Sequence, residues 1–112
     1  MMPFAAHAAG RYTVVAWCGE VDVGRAPPAR DQLLTLIDAG RDLVIDLSGV
    51  TYLDSAGVAV LVEGRRRAGE RGREFALAAV SVPAMKLLRL TRLDTVFPIR
   101  DSAHELPRRA GG

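Results

Sequence analysis

The sequence predicts an α/β domain on a small, mostly parallel sheet, and three observations lead there. Short β-branched and apolar runs alternate with longer segments whose apolar residues recur at three- and four-residue spacing. The later short runs are nearly continuous in apolar character, as in strands covered on both faces. Proline or serine opens helical segments, and glycine closes at least one. The resulting order is β, α, β, α, β, α, β, which implies right-handed crossovers onto one sheet.

Each element follows from its residues. Tyr12 to Cys18 is β-branched and aromatic and is closed by Gly19, so it reads as a strand. Val14, Ala16 and Cys18 fall on one face, and Thr13, Val15 and Trp17 on the other. Glu20 to Gly24 is a polar connection. Pro27-Pro28 then opens a helix, since proline is tolerated in a first turn. Ala29, Leu33, Leu36, Ile37 and Gly40 form its stripe, and Gly40 is a natural stop. Leu43 to Leu47 is a short buried strand, with Ser48 to Gly57 as the connection after it. The second helix places Val58, Leu61 and Val62 inward and ends in an arginine-rich half. Phe75 to Val80 is a third strand. Ser81 and Pro83 start a helix with Ala84, Leu87, Leu88 and Thr91 on one stripe. Val96 to Ile99 is a last short strand, whose proline suggests an edge or a strand end.

Composition narrows the function. One domain fits 112 residues, expected to fold over about 11–106 between a disordered lead (1–10) and a disordered tail (107–112). A single cysteine excludes a disulfide framework and a cysteine-based zinc site. Cys18 is expected to be a small buried residue, and Trp17 and Phe97 to lie in the core. His7 and His104 stand near opposite ends, which argues against a histidine metal site; no cofactor is expected. Nothing approaches 18 consecutive apolar residues, so no membrane span is expected. No basic residue precedes Arg11, so an export signal is not expected and a cytoplasmic location is.

Fifteen basic residues oppose 13 acidic ones, and all the basic ones but Lys86 are arginine. A net charge of +2 is too small for a general nucleic-acid footprint. Arg65, Arg66, Arg67, Arg71 and Arg73 could still contact nucleic acid, but Glu63, Glu70 and Glu74 interleave with them. A solvated helix end is the expected reading, and no direct DNA binding is expected.

The informative stretch is Asp46-Leu47-Ser48-Gly49-Val50-Thr51-Tyr52-Leu53-Asp54-Ser55-Ala56-Gly57. A strand leads into a loop that delivers Asp54-Ser55 to a helix start. One reading is structural: Asp54 or Ser55 caps the helix, worth about 1 kcal/mol. The other is a phosphorylation site at Ser55, where helix N–H groups favour an anion. Asp46 is expected near its strand end, bonded to backbone, with no catalytic role.

Three pieces together resemble the anti-sigma factor antagonist group of STAS-domain proteins. They are Gly19-Glu20-Val21-Asp22, the stretch from Leu43 to Gly57, and Leu90-Thr91-Arg92-Leu93-Asp94-Thr95-Val96-Phe97. The resemblance covers about Arg11 to Leu106. It implies a small sheet flanked by helices on one side and a binding module rather than an enzyme. It implies a partner that is both a serine kinase and an anti-sigma factor, bound by the unphosphorylated protein so that the sigma factor is freed. It also implies a serine phosphatase that resets the switch. By position, Ser55 matches the phosphoacceptor, and Asp22, Asp54, Ser55, Gly57 and Val58 match the partner surface. Two departures stand out. Ala56 replaces the hydroxyl residue that often follows the acceptor, and Arg92 replaces a glycine. If that glycine's positive φ is required, this helix end must be arranged differently.

Two other functions compete. One is a STAS module with another partner, a signalling scaffold or transport complex, without sigma control. The other is a small α/β enzyme using Asp22, Asp46 and Asp54, although no nucleophile–base pair or cofactor loop is evident.

Overall fold

The computed structural model describes residues 3–103. Five strands form one sheet in the order β1-β2-β3-β4-β5: β1 Ala5–Ala9, β2 Tyr12–Val21, β3 Asp42–Leu53, β4 Phe75–Ala78 and β5 Ile99–Arg100. β1 is antiparallel to β2, and every other pair is parallel. The helices are α1 Ala26–Asp38, α2 Ser55–Glu70 and α3 Val82–Leu90. The expected α/β class and mixed, mostly parallel sheet are therefore present.

Strand alternation decides which side chains meet the helices. Val15, Trp17, Leu43, Ile45, Leu47 and Leu77 point to one face and share a cluster with residues of all three helices. Among the latter are Leu33 and Ile37 of α1, Leu61 of α2 and Leu88 of α3, each at most 1% exposed. Each such side chain contributes about 1.5–3 kcal/mol through burial. All three helices thus cover one side of the sheet. Tyr12, Val14, Val44, Ala78 and Ala103 form a smaller cluster on the other side.

Several elements differ from expectation. The lead over residues 1–10 is not featureless where it is described. Phe4 is buried and stacks on Trp17 at 5.4 Å between ring centroids, and Ala5–Ala9 is a strand. Backbone pairing to β2 and the Phe4 anchor hold a segment whose own residues have poor strand propensity. The last strand lies at Ile99–Arg100 rather than Val96–Ile99, with Phe97 buried just ahead of it. β3 continues to Leu53, through half of the expected connection. Val62 is 40% exposed and does not belong to the inner line of α2. That line runs Gly57, Leu61, Gly64, Ala68, and its two glycines hide it from an apolar count. Thr91 caps α3 from an exposed position instead of packing inward. The tail over 107–112 and His104 lie outside the described residues.

Two braces join α1 to α2. Arg30 makes a bidentate pair with Glu63, 2.7 Å on each arm, and Arg67 meets Asp38 at 2.8 Å. The hydrogen bonds from Arg30 hold the Glu63 carboxyl below its ordinary range, with the surrounding positive charge adding to them. Arg71 joins Asp38 at 3.4 Å, and Arg11 joins Glu74 at 2.6 Å. These four arginines are thus engaged by the chain's own carboxylates.

Candidate functional site

The site sits where β2 and β3 outrun the rest of the sheet. β4 pairs only with Leu43 to Asp46 of β3, while β2 and β3 stay paired to Val21 and Leu53. Two register shifts, between Ala16 and Cys18 and between Gly19 and Glu20, bend this two-stranded ribbon. Its end delivers Asp22 and Asp54, each one residue beyond the paired Val21 and Leu53. This is the carboxyl end of parallel strands, the usual place for a site in an open α/β sheet.

Each acidic residue closes a turn. The Asp22 carboxylate accepts from the N–H groups of Gly24 at 3.0 Å and Arg25 at 3.3 Å, and its carbonyl accepts from Ala26 at 2.9 Å. It fixes the start of α1 and is half-buried. Asp54 is the N-cap of α2: its Oδ1 accepts from Ala56 at 2.9 Å and Gly57 at 3.2 Å. Of the two residues that could cap this helix, the aspartate does so. Ser55 is the first residue of α2 and is exposed. The N–H groups of Ala56 and Gly57 are therefore occupied by Asp54 and do not form an open anion cradle around the serine.

Gly57 and Val58, expected at a partner surface, are buried. A Cβ on Gly57 would lie 2.5 Å from Leu53 Cδ1 and 2.9 Å from the Val21 carbonyl oxygen. The missing side chain lets α2 start directly against the two strand ends. Val58 is 6% exposed and belongs to the main core. Both residues position Asp54 and Ser55 from behind and are not presented outward.

Two exposed apolar residues, which the sequence pattern does not single out, flank the polar tip. Val23, beside Asp22, is 73% exposed, and Tyr52, two residues before Asp54, is 49% exposed. Val23 also edges a hollow of about 300 Å³ between the starts of α1 and α2, floored by Ala56, Ala59 and Val60. The only sequence signal for them was apolar character inside otherwise polar connections.

Asp46 does not join the other two aspartates. It stands mid-strand, opposite Ala16 and Ala78, and its carboxylate accepts from the Ser48 N–H at 2.9 Å. Seven residues of bulged strand separate it from Asp54, roughly 20–25 Å. Its bond to backbone agrees with expectation, but its expected place near a strand end does not. Among the described residues, no three His, Cys, Asp or Glu side chains gather as a metal site. Cys18 is exposed, contrary to expectation, because it alternates with the buried Trp17 and faces the side of the sheet that the helices do not cover. Trp17 and Phe97 are in the core as expected.

The class so defined is a small α/β domain that presents one aspartate-capped helix start at the tip of a strand ribbon. A family model described as "Mlab, STAS domain" matches residues 4–101. The anti-sigma-B factor antagonist of Bacillus subtilis is 35% identical over 81 residues, covering 72% of this chain and 74% of that protein. A STAS-domain containing protein of Pseudomonas aeruginosa is 31% identical, covering 72% and 80%. The crystal structure of an anti-sigma factor antagonist from Mycobacterium paratuberculosis superposes with a TM-score of 0.80 at 27% identity, covering 89% and 86%. The chain belongs to the STAS-domain family, in its anti-sigma factor antagonist group.

Proposed function

We propose that this chain is a phospho-switched anti-sigma factor antagonist that acts through the ribbon tip. Unphosphorylated, it binds a partner that is both an anti-sigma factor and a serine kinase, and the sigma factor is released. Asp22, Asp54 and Ser55 supply the polar part of the contact, and Val23 and Tyr52 supply apolar anchors beside it. Gly57 and Val58 hold that surface in place. Phosphate on Ser55 ends the complex, and a serine phosphatase restores it. The protein performs no catalysis of its own in this scheme, does not bind DNA directly, and works in the cytoplasm. The described residues include no helix long and apolar enough to cross a membrane.

The observation that carries this reading is the division of labour between two neighbours. Asp54 satisfies the helix start, while Ser55 stands exposed at the same place with no part in the cap. A phosphate adds about −1.5 to −2 charges. On Ser55 it would sit beside the Asp54 carboxylate, and the cap that holds α2 would remain. The change falls on the surface met by a partner rather than on the fold.

The test is incubation with the anti-sigma serine kinases of the same genome and Mg-ATP, followed by intact mass. One added phosphate, lost in Ser55→Ala, is expected. No mass change with any of them would point to a STAS module serving another partner.

A further inference from the structure

The edge strand β1 carries information that the switch does not use. Its sequence, Ala5-Ala6-His7-Ala8-Ala9, reads the same in both directions. It lies at the outside of the sheet and pairs with β2 in an unbroken antiparallel register, from Ala5 opposite Ala16 to Ala9 opposite Tyr12. Residues 5–8 are exposed, on both faces of the strand. Side chains of β1 therefore take little part in the core, and the strand is held by its backbone and by Phe4 before it.

Sheet edges of soluble proteins are commonly blunted with lysine or other charge, proline, a bulge, or very short length. The other edge follows that rule: β5 has two residues, follows Pro98 and carries Arg100. β1 has none of these devices. It is five residues long, regular, uncharged in its alanines and free of proline. Its outward backbone groups form a template for another strand.

We propose that β1 is a self-association edge, pairing antiparallel with β1 of a second copy of this chain about a two-fold axis at His7. The palindrome selects this occupant. In that register Ala5 faces Ala9, Ala6 faces Ala8 and His7 faces His7, so no bulky or charged side chain meets an unmatched partner. The two sheets become one of ten strands, with isologous contacts. Five residues of edge bury less than the area of a standard stable interface, so the association is weak, with Kd of about 10 μM to 1 mM. The Ser55 tip lies at the end of β3, two strands away, and stays open in both copies. The dimer is thereby bivalent, and a clustered partner would be bound more tightly than by one copy.

Sedimentation velocity of the full chain from about 5 μM to 1 mM tests this, with the expected Kd as guide. The wild type is expected to shift from monomer toward dimer across that range. Ala6→Lys/Ala8→Lys opposes like charges across the proposed axis and should stay monomeric throughout. Ala6→Lys/Ala8→Glu opposes unlike charges only if the pairing is antiparallel about His7, and should dimerise at least as well as wild type. Circular dichroism of each variant establishes that the domain is folded. A wild type that remains monomeric at 1 mM, on this same scale, overturns the proposal. So does a lysine pair that dimerises like wild type, or a Lys/Glu pair that is monomeric while folded.

Discussion

At the scale of single residues, Arg92 shows what local geometry the chain preserves. All three helices end in the same hydrogen-bonded motif. After α1, Gly40 donates to the Ile37 carbonyl at 2.9 Å and Arg41 to Leu36 at 3.1 Å. After α2, Gly72 donates to Gly69 at 3.3 Å and Arg73 to Ala68 at 2.7 Å. After α3, Arg92 donates to Arg89 at 3.1 Å and Leu93 to Leu88 at 2.8 Å. This is the Schellman arrangement, which places the residue after the cap in the left-handed region. Gly40 and Gly72 occupy it at φ of 87° and 68°, and Arg92 at 59°. The expectation that the arginine would force a different helix end is therefore corrected: the hydrogen bonds keep the glycine-type backbone and the side chain tolerates it. A non-glycine residue there costs about 1–2 kcal/mol, partly offset because glycine loses more entropy on folding. Arg92→Gly is expected to raise stability by about 0.5–1 kcal/mol, read as a higher urea midpoint with unchanged slope. Asp54 and Ser55 were legible in the sequence because a cap residue and its neighbour announce themselves before a helix. Which one caps was not, since either side chain can reach the free N–H groups and only the backbone decides. The exposure of Cys18 was also hidden, because a strand pattern does not say which face is covered.

At the scale of elements, glycine in α2 serves opposite ends. Gly57 allows the helix start to touch the strand ends, whereas a Cβ on Gly69 would meet nothing within 4 Å. Gly57→Ala should therefore destabilise by about 1–3 kcal/mol through overpacking, despite alanine's better helix propensity. Gly69→Ala should stabilise by about 0.5–1 kcal/mol, since only propensity changes. Thermal melts of both variants beside wild type would decide it, and two shifts of the same sign would contradict the assigned roles. Gly57 and Gly64 also hide the inner line of α2 from an apolar count, which places Val62 there instead of Gly64. Elements with dense apolar patterning, such as Leu43–Leu47 and the α1 stripe, were legible. β1 was not, because five residues of alanine and histidine carry no alternation, and their pairing depends on β2 and on Phe4 packed against Trp17. The extension of β3 to Leu53 was obscured by Ser48, Gly49 and Thr51, which read as loop but sit on a bulged ribbon.

At the scale of the whole molecule, charge separates scaffold from surface. A net charge of +2 is small, and part of the positive charge is met within the fold. Arg11, Arg30, Arg67 and Arg71 are paired with Glu74, Glu63 and Asp38, and the first three of these pairs approach to 2.6–2.8 Å. At the opposite end of α2 from its arginine-rich last turns, the tip offers the Asp22 and Asp54 carboxylates, the exposed Ser55 hydroxyl and the side chains of Val23 and Tyr52. A charge added at Ser55 would then act on recognition and leave the helix cap and the core as they are. The most direct measurement is calorimetric titration of wild type and Ser55→Asp with the kinase that the intact-mass test identifies, paired with thermal melts of both proteins. A switch that acts on recognition alone requires binding weakened at least about tenfold, which is about 1.4 kcal/mol, with a melting temperature within about 2 °C of wild type. Equal affinity, or weaker binding accompanied by a large loss of thermal stability, would contradict it.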